Sequence, residues 1–399
     1  MIFIVKRTHL KTLLMIIAVL LSFAVALFIG GVIIELSGES ALHTYSVLIN
    51  GAFVGKSNIS ETLIKTSILL LTGLSYAFVA KCGLVNIGAE GQLYMGAACS
   101  TAVGVYCTFL PGPLHLVAAV LAGFAGGAAW GGIVGFFKAR FNANEIITSL
   151  MMNYIATLFV SFLVSRPMKD KTQTYPYSYR VAENARLPNI LPGTRLSIGI
   201  FIALLCLLIY WFYYRYTASG YRMRVIGQNR LCAEYAGYNV RRSMFVAMMV
   251  GGGFAGLGGA LEILGVQYRL FDSFSAGYGF EGICAALLAG NNPVGMLFTS
   301  VLFGGLKNGG NMIQMFTKVS STLINVVQPL VIILVIMTNM SRLPGGGRLL
   351  RLSGKDGSEG SSGNSSGGNS GGGNSSGGNS SGGNNNGGNI SVGREGGVV

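Results

Sequence analysis

The sequence predicts an all-α protein, built as a polytopic transmembrane bundle of about ten helices. Of its 399 residues, 51% are hydrophobic and only 11% are charged, whereas a soluble domain carries about 25% charged residues. Apolar runs long enough to cross a bilayer recur over residues 1–345. The net charge of +14 reflects Lys and Arg beside these runs, which is typical of cytoplasmic loops and not of a nucleic-acid-binding surface.

The first half of the predicted bundle contains five spans. The first apolar run is too long for the core of a cleavable signal peptide, so we expect a retained helix preceded by a basic cytoplasmic N-terminus. A polar connection over residues 35–62 is placed outside. The expected spans are Leu13–Ile34, Leu63–Ala80, a helix from the polar break at 86–92 to about Leu110, Leu114–Phe137 and Glu145–Ser165.

The second half alternates long connections with further spans. Five spans that start from a cytoplasmic N-terminus place residues 166–195 outside the cell. Five Arg place residues 217–242 in the cytoplasm. Both termini are then cytoplasmic. The expected spans are Leu196–Tyr216, a helix ending near Gln267, two short segments separated by a break at 291–293, and Leu323–Met340. Either short segment fits a re-entrant helix as well as a full span.

Two further features concern organisation. Residues 346–399 are rich in Ser, Gly and Asn, so we expect a disordered cytoplasmic tail after the membrane domain of residues 1–345. Gly88-Ala89-Glu90-Gly91 and Gly279-Phe280-Glu281-Gly282 each place a Glu among small residues at a helix start. This similarity indicates an inverted repeat of two five-helix halves, an arrangement that places transport sites at the interface of the halves.

Small residues recur at helical spacing on two predicted spans. One ridge has a Gly at every fourth position from Gly123 to Gly135, and interleaved ridges run from Gly251 to Ala260. Because lipid gives no hydrophobic drive between helices, such ridges predict close helix crossings. They fit packing within one subunit or, alternatively, a sliding or dimer surface.

Polar groups at membrane depth are the candidates for a substrate pathway, since they are costly unless they face a cavity or a partner. Glu90 fits either a pathway residue or a carboxylate stabilised by a helix N-terminus. Asn86 and Gln92 belong to an irregular break that must line a cavity or be buried in protein. Glu262 and Glu281 are further candidates of the same kind.

A polar stripe opens the fifth predicted span. Asn144 and Glu145 begin this helix, and Glu145, Ser149 and Asn153 follow one another at four-residue spacing on one face. The stripe faces a substrate pathway or, alternatively, makes hydrogen bonds between helices.

The basic segment, residues 217–242, contains small and apolar residues that predict a short helix at the cytoplasmic surface. It is either a docking site for a cytoplasmic partner or an ordinary basic loop. Elsewhere, Gly51–Ser57 is one residue short of a phosphate-binding loop, and no metal-ligand spacing or catalytic triad is legible. We therefore expect no bound metal and no enzymatic activity in this chain.

Four motifs stand out along the chain: Asn86–Gln92, Asn144–Ala156, Gly227–Gly237, and Gly277–Gly282 with Asn292-Pro293. Together they resemble the sugar- and nucleoside-type permeases of bacterial ABC importers, within the branched-chain amino acid and ribose-like permease family. The second of them, Asn144–Ala156, is most similar to nucleoside (guanosine-type) permeases.

The resemblance implies a ten-helix permease in the bacterial cell membrane that imports nucleosides or simple sugars. It also implies a second permease subunit, identical or homologous, an extracellular substrate-binding lipoprotein and an ABC ATPase that binds ATP and Mg²⁺, so this chain needs no cofactor of its own. The alternative is a proton-coupled secondary transporter, with Glu90 or Glu145 carrying the proton. The resemblance places ATPase coupling within residues 224–240, at Arg224, Gly227, Gln228, Ala233, Glu234 and Gly237.

Overall fold

The computed structural model describes residues 25, 28–32, 34–36, 38–275 and 277–316. The predicted span Leu323–Met340 and the tail lie outside the described residues, and so does most of Leu13–Ile34. The helices are α1 Ala41–Phe53, α2 Lys56–Ala80, α3 Ala89–Tyr106, α4 Gly112–Phe141, α5 Glu145–Ser165, α6 Gly199–Tyr216, α7 Ala218–Gln228, α8 Arg230–Tyr235, α9 Val240–Glu262, α10 Tyr278–Leu288 and α11 Pro293–Phe316. A π-helical turn, Ile263–Gln267, continues α9.

The all-α prediction is confirmed for the described part of the chain, where β-structure is limited to three isolated bridges around residues 169–197 and 271. Five helices there are long and apolar enough to cross a membrane. They are α2, α4, α5, α6 and α9 with its π-helical continuation. The count of ten spans and the inverted repeat stay predictions.

The predicted polar connection over residues 35–62 is wrong, because α1 lies within it and α2 already begins at Lys56. Its polar side chains bond to nearby backbone instead of marking a loop. Thr62 Oγ1 donates to the Ala52 carbonyl at 2.7 Å, and Asn58 Nδ2 donates to the Val54 carbonyl at 2.8 Å. These bonds, to α1 and to the turn before α2, satisfy the polar side chains, so α2 begins before its apolar run.

The second predicted short segment is instead a helix of 24 residues, α11. It is separated from α10 by a turn in which Asn291 has a φ of 58°. The Asn292 side chain accepts a hydrogen bond from the Val294 amide at 3.0 Å and so caps α11. Pro293 at the first helical position fits this start.

The predicted ridges of small residues meet each other where α4 crosses α9. A Cβ on Gly127 would collide with the Gly252 carbonyl, and a Cβ on Gly256 would collide with the Gly123 carbonyl. Glycine is therefore required on both helices for this approach. Close crossing within one subunit is confirmed, and α9 lies at the centre of the bundle with its middle turns buried.

Candidate functional site

The polar break between α2 and α3 holds a closed network of amide side chains. Asn86 Nδ2 donates to Gln92 Oε1 and to Ser75 Oγ, both at 2.9 Å. Gln92 Nε2 returns a hydrogen bond to Asn86 Oδ1 at 3.1 Å, and the Gly88 amide donates to the same oxygen at 3.1 Å. Asn86, Gln92 and Ser75 are fully buried. Their polar atoms face one another, so the network braces the irregular backbone.

Glu90 joins the two Gly-x-Glu-Gly motifs, Gly88–Gly91 and Gly279–Gly282. It is buried at the start of α3, and its Oε2 accepts a hydrogen bond from the Gly279 amide at 2.6 Å. A Cβ on Gly279 would collide with the Glu90 amide nitrogen, so the two segments are in backbone contact. Glu281, in the second motif, forms an ion pair with Lys307 of α11 at 2.7 Å.

The polar stripe of α5 contacts the polar break. Asn153 Oδ1 accepts from the Gly91 amide at 2.8 Å, and its Nδ2 donates to the Ile87 carbonyl at 3.0 Å. Ser149 is buried and lies against Gly88. These contacts favour interhelical bonding as the role of Asn153. The buried Ser149 hydroxyl has no hydrogen-bond partner among the described residues, and a pathway role for the stripe stays a prediction.

The first residues of the stripe lie at the helix start and not in the packed interior. Asn144 caps α5 by accepting from the Ile146 amide at 3.0 Å. Glu145 forms an ion pair with Lys138 at 2.9 Å. Asn144 therefore has a capping function, and Glu145 joins the ends of α4 and α5.

The basic segment folds into two short helices, α7 and α8, followed by the start of α9. Gly227 of α7 lies against the turn that ends α2. A Cβ on Gly227 would collide with the Lys81 carbonyl, and a Cβ on Gly83 would lie 3.0 Å from Gly227 Cα. The same turn leads into Asn86, so α7 is packed directly against the chain that forms the polar break.

The remaining predicted coupling residues lie on or near an exposed surface. Gln228, Glu234 and Gly237 are exposed and Ala233 is buried, whereas Arg224 is half-buried with its guanidinium 5.8 Å from the Tyr221 ring centroid. Large apolar side chains accompany them, with Tyr235 91% exposed and Leu231 67% exposed. Both side chains lie on the segment expected to meet a cytoplasmic partner, and the docking role of this surface stays a prediction.

The turn after α2 carries two groups with shifted acidity. Burial, and to a lesser extent the Arg224 guanidinium, lower the pKa of Lys81 from its ordinary value of 10.5. Burial raises the pKa of the Cys82 thiol to about 11. Both shifts follow from desolvation of a charged form where α7 packs on the turn.

A polar cavity of about 600 Å³ lies at the opposite end of α2 from this turn. We define the polar cavity by six lining residues, Glu61, Lys65, Arg195, Glu262, Gln267 and Asn308. Sequence reasoning singled out only Glu262 among them. Lys65 carried a usable signal, a cation inside the apolar run of α2, but Asn308 is 243 residues distant and gave none.

Comparison with known families decides the class of protein. Residues 58–336 match the family described as "Branched-chain amino acid transport system / permease component", which is more than half of the chain. The chain belongs to this family. This permease is therefore a membrane-embedded transport component and not an enzyme. Among the described residues, no cluster of His, Cys, Asp and Glu could hold a metal ion.

Three relatives align with most of the permease. The guanosine ABC transporter permease protein NupP of Bacillus subtilis is 36% identical over 79% of this chain and 91% of its own length. The glucose ABC transporter permease protein TsgB13 of Haloferax volcanii is 32% identical over 79% of this chain and 86% of its own. The nucleoside ABC transporter permease protein NupB of Lactococcus lactis is 32% identical over 75% of this chain and 84% of its own.

Proposed function

We propose that this permease is the membrane subunit of an ATP-driven importer that moves nucleosides, or simple sugars, into a bacterial cell. Similarity to permeases named for guanosine, nucleosides and glucose carries the proposal. The partners are an ABC ATPase, a second permease subunit and an extracellular substrate-binding lipoprotein. Ten spans in two inverted halves, with both termini in the cytoplasm, complete the architecture.

The contact between α7 and the turn after α2 supports a route for coupling. ATP binding to the ATPase displaces the exposed surface of α7 and α8. Because Gly227 is in backbone contact with Lys81 and Gly83, that displacement reaches the polar break and the helices that converge on it. The helices then move as packed bodies at the α4–α9 crossing, and the pathway opens alternately to each side.

Residues of the polar break and its partners form the inner part of the pathway in this proposal. The irregular backbone where the two Gly-x-Glu-Gly motifs meet is held by Asn86, Glu90, Gln92 and Asn153. This inner part of the pathway is flanked by Asn144, Glu145, Ser149 and Glu281. Rearrangement of these hydrogen bonds accompanies opening.

Uptake of labelled guanosine tests the proposal. A strain lacking this permease should lose ATP-dependent guanosine uptake, and the cloned gene should restore it, with excess glucose and ribose added as competitors. The competing idea of proton-coupled transport predicts uptake by the purified chain alone in liposomes under a proton gradient. Such uptake would overturn the ATP-driven assignment, as would normal guanosine uptake by the deletion strain.

A further inference from the structure

The polar cavity contains a buried carboxyl group with an unused hydrogen-bonding atom. Glu262 is 4% exposed, and its Oε1 accepts from Gln267 Nε2 at 2.9 Å. Its Oε2 is buried and has no hydrogen-bond partner among the described residues. An unsatisfied buried carboxyl oxygen is costly, so its persistence indicates a partner that arrives from elsewhere.

The backbone beneath Glu262 is irregular in a way that favours binding. The π-helical turn Ile263–Gln267 begins directly after Glu262 and brings the Gln267 side chain onto it. π-helical turns of this kind are frequent at functional sites. The turn places Glu262 and Gln267, five residues apart, on one face, whereas a regular α-helix of about 3.6 residues per turn would separate them.

Across the cavity, a second polar group is held firmly in place. Lys65 Nζ donates to Asn308 Oδ1 at 3.0 Å, and Asn308 Nδ2 donates to the Gly51 and Asn58 carbonyls at 2.9 and 3.0 Å. Lys65 and Asn308 are both buried. A cation fixed by one neutral amide keeps further donor capacity, because an ammonium group has three N–H bonds.

The charges of the cavity lining compensate one another. Glu61 and Arg195 form an ion pair at 2.8 Å at the rim, and Lys65 and Glu262 are the other two ionisable groups of opposite sign. The described lining thus has no surplus cation for a phosphate and no surplus anion for an amine. Tyr278 is buried and also lines the cavity, and the Lys307 ammonium lies 4.3 Å from its ring centroid.

Building on the proposed function, we propose that the polar cavity binds an uncharged cyclic solute through a vicinal diol. One hydroxyl of the diol donates to Glu262 Oε2, and the Lys65 ammonium donates to an oxygen of the same solute. The volume of about 600 Å³ is in the range of small-molecule sites. Ribonucleosides and pyranose sugars share the diol, whereas nucleoside monophosphates bring charge that the lining does not balance.

Radiolabelled uptake in cells carrying the complete transporter tests this site. The matched substitutions are Glu262→Gln, which keeps the shape of the side chain, and Glu183→Gln at an exposed position outside the cavity. The solutes are guanosine, 2′-deoxyguanosine and glucose, with membrane levels of the permease measured by immunoblot. Uptake by each variant is expressed as a fraction of wild-type uptake of the same solute, so the preference of the binding protein among solutes does not affect the comparison.

The expected result is selective loss of diol recognition. Glu262→Gln should lower guanosine uptake by about tenfold or more, because a charge-assisted hydrogen bond is lost, and should lower 2′-deoxyguanosine uptake less than about threefold. Glu183→Gln should match wild type. A larger effect on glucose than on guanosine would assign the site to a sugar. Equal effects on guanosine and 2′-deoxyguanosine, or none, would overturn the proposal, whereas a wild type that moves neither guanosine nor glucose would overturn the proposed function itself.

A second variant keeps the test decisive if Glu262→Gln fails to assemble. Asn311 lines the same cavity and is exposed, so Asn311→Cys in a cysteine-free chain should fold and react with a membrane-impermeant methanethiosulfonate. Guanosine at millimolar concentration should slow this reaction severalfold and 2′-deoxyguanosine should slow it less. Identical rates with and without guanosine would show that the cavity is not its site.

Discussion

At the scale of single residues, the contact of Gly227 with the turn after α2 is the most sensitive point of the proposed coupling route. Gly227→Ala places a Cβ against the Lys81 carbonyl, so α7 must move away from the turn. We expect ATP-driven uptake to fall by about fivefold or more, since forced displacements of this size cost about 1–3 kcal/mol.

Gly132→Ala is the matched control for Gly227→Ala, because its Cβ would meet its nearest neighbour, Phe245, at 3.7 Å. Uptake by that variant should be close to wild type. Uptake assays at equal membrane levels, with ATP hydrolysis by the assembled transporter measured in parallel, distinguish lost coupling from lost assembly. Full uptake by Gly227→Ala would place the coupling contact elsewhere.

A second residue-scale prediction concerns the acidity of Lys81. Its pKa is lowered in the folded protein, so between that pKa and the ordinary value the folded chain binds fewer protons than the unfolded chain. The contribution of Lys81 to stability therefore rises with pH across this window, and its free amine appears at lower pH than that of an ordinary lysine.

Amine acylation followed by mass spectrometry measures this shift. Lys81 should react at a lower pH than exposed lysines, and Arg224→Gln should move its titration to higher pH by removing a nearby cation. Arg222→Gln serves as the control, because Arg222 lies over Tyr238. An unchanged titration in Arg224→Gln would mean that Lys81 and Arg224 do not interact.

At the scale of helices, the α4–α9 crossing depends on where its glycines lie and not on how many there are. Gly256 and Gly258 are two positions apart on α9, but a Cβ on Gly256 would collide with the Gly123 carbonyl, whereas one on Gly258 would first meet Ile68 at 3.7 Å. We expect Gly256→Ala to destabilise the detergent-solubilised protein by about 1–3 kcal/mol.

Gly258→Ala is the matched control and should be neutral or stabilising by up to about 1 kcal/mol, because alanine favours the helix. Thermal unfolding followed by size-exclusion chromatography compares the two, and equal melting temperatures would contradict the close crossing.

Helix packing was the part of the architecture that the sequence predicted best, and pairing between polar side chains was the part that it predicted least. Small residues at four-residue spacing define a helix face, so the ridges from Gly123 and Gly251 could be recognised locally. The start of α2 could not, because its polar first turns bond to α1.

At the scale of the whole molecule, the same limit explains the candidate site. Asn86 and Gln92 were recognised as polar groups that the membrane would not leave unsatisfied, but only the fold shows that they satisfy each other. Lys65 and Asn308, and likewise Glu90 and Gly279, meet across sequence separations of 243 and 189 residues. A single sequence has no local signal for such contacts, so the polar cavity emerged only from the assembled bundle.

The orientation of the bundle decides whether the two ends of α2 can serve the functions proposed for them. The basic segment must face the cytoplasm to meet an ATPase, and the polar cavity must open toward the binding protein.

Two cysteines lie at the ends of the bundle that are assigned to opposite sides of the membrane. They are Cys232, which is exposed on α8, and Cys107, which is partly exposed directly after α3. In single-cysteine variants, a membrane-impermeant maleimide should label Cys107 in intact spheroplasts and Cys232 only after permeabilisation. Cys82, kept alone, should stay unlabelled at pH 8 in both preparations, because it is buried and its thiol has a pKa of about 11. Labelling of Cys232 from outside would reverse the bundle, and no cytoplasmic ATPase could then act on α7.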